Sequence, residues 1–254
     1  MKPVFSLDEY ILHHLTDGQE WHLPFLPPIH IPAPLTLHTL MMILAAVFLI
    51  IIFCFLYDKK SPVPRGLTNF LEAIILFIRD RVCVPYLGQE DGVKLTPLFA
   101  TFFFFILMMN LMGLIPIFAT ATANVNVTGG LALITLSFMI LAAIMKNGVI
   151  GFLKAFIPHG VPWPILILLF PIEFLGMFIK AFALTIRLFA NMLAGHLVIL
   201  SVLGVVTMFG LVALPAVVLA LGIDLLEVMV AFLQAFIFTL LSAMFVGQTL
   251  HPSH

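Results

Sequence analysis

Charge is scarce in this chain. Lys, Arg, Asp and Glu make up 9% of its 254 residues, where a soluble domain carries about a quarter. The formal net charge is −1, and no basic cluster of the kind a phosphate backbone requires is present. Nucleic acid is therefore excluded as a partner. Cysteine is scarcer still. Cys54 and Cys83 lie far apart, with no CxxC and no zinc spacing, so both read as packing residues. GxSxG, HExxH and P-loop patterns are missing, and the glycines of NLMGLIP and GMFIKAFA make no phosphate cradle. A chain of this kind carries out no covalent reaction alone and calls for no cofactor. No metal is expected either, because His13 and His14 are adjacent and point to different helix faces. The first residues lack the basic start and apolar run of a secretory signal.

What is present is hydrophobicity, at 63% of residues. A helix needs ~20 apolar residues to cross ~30 Å of hydrocarbon. Residues 35–57 make the first such run, and DKKSPVPRG ends it with charge and proline. Residues 66–84 are apolar on one side at a 3.6 period but hold Glu72, Arg79, Asp80 and Arg81, which predicts a membrane-surface amphipathic helix. Residues 95–119 and 129–146 predict two further spans. Residues 1–34, rich in proline near their end, predict an extracytoplasmic tail ahead of a single membrane domain, 35–254. Two long apolar stretches remain, about 163–207 and 211–250. Each is two short spans or one long tilted helix, and hydropathy does not choose between them.

Lys59, Lys60, Arg65, Arg79, Arg81, Lys94, Lys146 and Lys154 are eight of the eleven basic residues, and these spans put them all on one side. Positive-inside bias then predicts an N-terminus outside and a cytoplasmic C-terminus.

The last two stretches carry charge where it is expensive. Glu173, Lys180 and Arg187 are spaced by seven and share a helix face that Asn191 continues. Glu173 is ~21 Å from Arg187 along a helix axis, too far for an ion pair. His196, nine residues beyond Arg187, points to the other side. Asp224, Glu227, Ala231, Gln234 and Phe238 form a second stripe at +3, +4, +3, +4 spacing. Intramembrane ionisable groups point by default to an ion or proton path. Lys180 could instead snorkel, Asp224 could cap a helix or face a vestibule, and Gln234 could be helix-packing glue.

The string IRLFANMLAGH resembles the signature of subunit a of the F-type ATP synthase, the membrane stator of a rotary motor. EYILHHL, NLMGLIP, ANVNVT, PIEFLGMFIKAFALTIRLFANMLAGH and LQAFIFTLLSAMFVG are similar to that family's landmarks, in its order, over nearly the whole chain. The resemblance implies an all-α integral membrane protein of the bacterial plasma (inner) membrane. It implies five transmembrane helices plus the surface helix, the last two long and steeply tilted as a hairpin. Arg187 then corresponds to the stator arginine that faces the c-ring carboxylates, with Asn191 and Gln234 as polar neighbours. Glu173 corresponds to an acid of the cytoplasmic half-channel and Lys180 to a lysine of that helix. At His196 and Glu227 the acid and histidine of a common bacterial pattern are exchanged, which is similar to the mitochondrial arrangement and implies that the two cooperate in the outer half-channel. The partners implied are the c-ring proteolipid, the peripheral-stalk b subunits and the remaining synthase subunits. An ion-coupled secondary transporter is the competing reading. It predicts inverted repeats and broken helices, and neither is visible.

Overall fold

The computed structural model describes residues 18, 20–21, 29–32, 35–56, 66–115, 118–154, 156, 163–209 and 214–250. His13, His14, Lys2, Lys59, Lys60 and Arg65 lie outside them, as does most of the N-terminal tail. The order of elements is β1 (Glu20–Trp21), β2 (Ile29–His30), α1 (Leu37–Ile51), α2 (Leu67–Ile78), α3 (Gln89–Gly113), α4 (Val125–Lys154), α5 (Trp163–Phe209) and α6 (Leu214–Leu250). The strands are two residues each and pair antiparallel, Glu20 with His30 and Trp21 with Ile29. Everything else of length among the described residues is helix. This is an all-α integral membrane protein, with five helices among the described residues long and apolar enough to span.

Local chemistry sets the helix ends. Thr36 caps α1, its hydroxyl accepting from the Thr39 amide at 3.4 Å. After Ile78, α2 runs on through a π-helical turn, Arg79–Cys83, and a last α turn, Val84–Leu87. Glu90 and Asp91 fill the first turn of α3, where the helix dipole favours anions. Within α4, Gly148 takes φ 69° and ψ 171°, a conformation that costs a residue with a Cβ dearly, and the helix kinks there.

The two ambiguous apolar stretches are single helices. α5 has 47 residues and α6 has 37. At 1.5 Å per residue α5 is ~70 Å long against a hydrocarbon core of ~30 Å. It must tilt steeply or project. Pro171 lies inside α5 without ending it.

The chain divides into two compact units. The first holds residues 1–52, 104–127 and 187–235, and the second holds 53–103, 128–186 and 236–254. The first has its core in Met41, Ala45, Ile106, Met109, Leu188 and Ala235, with Trp21 stacked on Phe118 at 6.4 Å. In the second, Ile78, Val82, Phe99, Met139, Phe238 and Val246 are buried. Phe102 meets Phe238 edge-on at 6.0 Å, and the Thr135 and Ser242 hydroxyls pair at 3.2 Å between α4 and α6. The amphipathic α2 rests on α6 through Phe77 and Phe236, 5.8 Å apart.

Candidate functional site

Arg187 opens the α5 part of the first unit. Leu184, Leu188 and Met192 bury one side of α5, while Arg187, Ala190, Asn191 and Ala194 are exposed. The 3.6-residue period thus turns the arginine away from its own chain. Among the described residues it has no hydrogen-bond or ion-pair partner. Ile179, Phe182 and Ile186 are also exposed on α5.

On α6, Glu227, Ala231, Gln234 and Phe238 are all buried, so most of the acidic stripe faces inward. Asp224, one step earlier, is exposed and has no ion-pair or hydrogen-bond partner among the described residues.

Within the first unit, Asn191 Nδ2 donates to Gln234 Oε1 at 3.4 Å and ties α5 to α6. Asn110 of α3 is fully buried and its Nδ2 donates to the Ala231 carbonyl at 3.5 Å. Glu227 Oε1, Asn110 Oδ1 and Gln234 Nε2 are buried without a protein partner. Buried polar atoms are almost always satisfied, by water where protein does not suffice. Three such atoms along two turns of α6 mark a track suited to water and to a proton.

Gly195 makes room for the acid on this track. A Cβ there would lie 2.1 Å from Glu227 Oε1 and 2.8 Å from its carboxyl carbon. The α5 backbone just before His196 is therefore in contact with the Glu227 side chain. The His196 side chain itself lies outside the described residues.

The second unit holds the remaining two charged residues of the α5 stripe. Glu173 is exposed and without a hydrogen bond or ion pair among the described residues. It is flanked by a chain of rings, with Phe170 and Phe174 at 6.4 Å and Phe174 and Phe178 at 5.4 Å. Lys180 is held instead by α6. Its Nζ donates to Gln248 Oε1 at 2.8 Å and sits 5.3 Å from the centre of the Phe245 ring. No group of three or more His, Cys, Asp or Glu side chains converges as a metal site among the described residues.

Sequence reasoning missed Asn110 and Gln248. Asn110 had a signal, a lone amide inside the run FFFFILMMNLMG. Gln248 had none, since a glutamine near the end of an apolar helix reads as ordinary.

The family model for the ATP synthase A chain matches residues 39–247. The chain belongs to that family. It is 44% identical to ATP synthase subunit a of Anaeromyxobacter dehalogenans strain 2CP-C, over 95% of this chain and 70% of that one. It is 42% identical to ATP synthase subunit a of Chloroherpeton thalassium, over 96% and 77%. For ATP synthase subunit a of Myxococcus xanthus the identity is 40%, over 95% and 87%.

Proposed function

We propose that this chain is the proton-translocating stator of a rotary ATP synthase, with Arg187 facing a passing row of rotor carboxylates and dividing two aqueous half-channels. The observation that carries this reading is an intramembrane guanidinium turned outward, without a partner among the described residues. A central charge in hydrocarbon costs several kcal/mol unless paired or hydrated. Arginine does not deprotonate in proteins. A counter-charge from another chain answers this cost, and an acid on each c subunit of a ring meets that need repeatedly.

The groups divide between two passages. Glu227, with Asn110, Gln234 and Asn191 about it, is the outer one, and His196 and Asp224 belong to its mouth. Protons arriving there neutralise a rotor carboxylate. The acid then travels in lipid and reionises beside Glu173, which opens the cytoplasmic passage. A proton cannot cross at Arg187, because a permanently protonated group neither accepts nor relays one. Each charge crossing 100 mV is worth ~2.3 kcal/mol. Lys180 serves this scheme by fixing α5 to α6. Under the same reading the membrane is the bacterial inner membrane, the N-terminus is outside, the C-terminus is cytoplasmic, and b subunits of the peripheral stalk complete the stator. The family match and the two unbroken long helices leave the secondary-transporter reading without support.

Replacing Arg187 with alanine tests the proposal in sealed vesicles carrying the assembled complex. ATP-driven proton pumping falls to background while the complex still assembles. Normal pumping by that variant would reject the stator role.

A further inference from the structure

The first unit holds buried polar atoms that no protein group satisfies, and beside them an acid that no protein group pairs. Glu227 is 8% exposed, and its Oε1 has no hydrogen-bond partner. Asn110 Oδ1 and Gln234 Nε2, on residues 0% and 3% exposed, are in the same condition. Asp224 is exposed, with neither an ion pair nor a hydrogen bond among the described residues. All four residues belong to the one unit.

One remedy meets both needs. Buried polar atoms are satisfied by water where protein does not suffice, and such water needs a way in. A carboxylate inside a span is expensive unless it is paired or hydrated, and Asp224 lies in the spanning helix Val217–Leu250. Its helix neighbours Leu221 and Leu225 are exposed and bring it no donor. Water that enters along Asp224 hydrates that carboxylate and continues to Glu227. The two acids are three residues apart, ~4.5 Å of helix rise, and the charge of Asp224 is felt at Glu227. Asp224 stands on the Leu214 side of Glu227, which the stator reading makes the outer side.

We propose that Asp224 is the proton-collecting group of the outer passage, taking protons from outside water and passing them through water to Glu227. This rests on the stator reading above. A hydronium or a buffer acid gives its proton to the Asp224 carboxylate. The neutral acid releases it to an adjoining water, the water gives one to the Glu227 carboxylate, and Asp224 is ionised again. Only O–H bonds form and break, apart from the bond the buffer acid gives up. A collecting acid must reach outside water and have no partner that holds it in one state. Asp224 meets both conditions. Glu227, packed on the α5 backbone at Gly195, fails the first. Of the other titratable groups on the helices of this unit, Arg187 keeps its proton, and His38 is buried on α1 against Asn124.

The test is ATP synthesis by the assembled complex in sealed vesicles whose lumen faces the outer end of the passage. A potassium diffusion potential drives it, with the same mildly alkaline pH on both sides. Two buffers are compared, small imidazole and a bulky zwitterionic sulfonate. Asp224→Asn keeps the size of the side chain and removes its proton-binding group. In the bulky buffer its rate falls about tenfold, short of the ~100-fold or more that a positioned proton-transfer group contributes, because hydronium still reaches Glu227 unaided. Imidazole enters the mouth carrying its own proton and restores most of the rate. Asp224→Glu works in either buffer. Equal losses in both buffers would make Asp224 a structural residue and overturn the proposal, as would an undiminished rate in the bulky one. The unmutated complex runs at one rate in both buffers. A rate that rises with imidazole there would show that no collecting group is in place, and that comparison stands even where the variant does not assemble. Arg187→Ala makes no ATP in either buffer, so failure of the stator reading shows in that variant and not in the buffer comparison.

Discussion

The most apolar stretches of two spanning helices have nearly the same mean hydropathy and opposite surroundings. That of α3 averages 1.9 and is 61% buried in the protein, while that of α5 averages 2.0 and is 11% buried. Hydropathy reports that a segment prefers hydrocarbon to water. It does not report whether lipid, its own chain or another chain supplies the contact. α3 spends its apolar surface on phenylalanine packing, with Phe99, Phe102, Phe103 and Phe104 all buried. α5 leaves Ile167, Leu168, Leu175, Ile179 and Phe182 outside, beside an arginine that lipid cannot satisfy. Under the proposed stator role, the polar residue, and not the apolar surface, identifies the face that meets a partner protein.

The contrast breaks if the two helices respond alike to truncation. Phe99→Ala on α3 costs about 3–5 kcal/mol as a large-to-small core change, and its complex yield falls sharply after mild heating. Leu175→Ala on α5, 58% exposed, leaves the thermal stability of the isolated chain unchanged. Equal losses from both would show that α5 is packed by its own chain after all.

Gly195→Ala sharpens the α5 side of the comparison. The new Cβ meets the end of Glu227, a side chain that can give way, so assembly survives. The carboxylate moves off its track, and proton flux falls about tenfold, within the ~100-fold that a 1 Å misplacement can cost. Shortening the acid with Glu227→Asp in the same chain restores part of the flux. Vesicle acidification rates measure all three.

Lys180→Met removes one hydrogen bond and one cation–π contact, worth roughly 1–2 kcal/mol together. It lowers stability by that order and changes proton flux less than twofold. A loss of flux as deep as that of Arg187→Ala would put Lys180 in the path instead.

The smallest effect concerns the cysteines. Burial pushes the Cys83 thiol up to about 11, against the opposing pull of Thr96. The thiolate is the nucleophile, so at neutral pH alkylating reagents spare Cys83 in the folded chain and modify it only after denaturation. Cys54, expected from the sequence to be a packing residue, is exposed and serves as the reference for reagent access.

The stripe on α5 is legible in the sequence as one face, because a seven-residue spacing survives any helix of reasonable straightness. Glu227 and Gln234 are legible there as one stripe, but its direction is not. Direction depends on which neighbour lies across, and the neighbour is Asn110, more than a hundred residues away in sequence. Asp224 belonged to the stripe by spacing and is exposed all the same. Lys180 belonged to the α5 stripe by period, yet its long stem lets the amine reach Gln248 on the next helix.

By itself the sequence determined the solvent, the all-α class and the family. Those follow from composition, period and an uninterrupted run of motif residues, all of which are local. Tertiary structure alone decided that Glu227 lies against the backbone at Gly195 and that Asn110 stands across from Ala231. Each of these needs residues distant in the chain to meet, and hydrophobicity, being without direction, does not say which ones will.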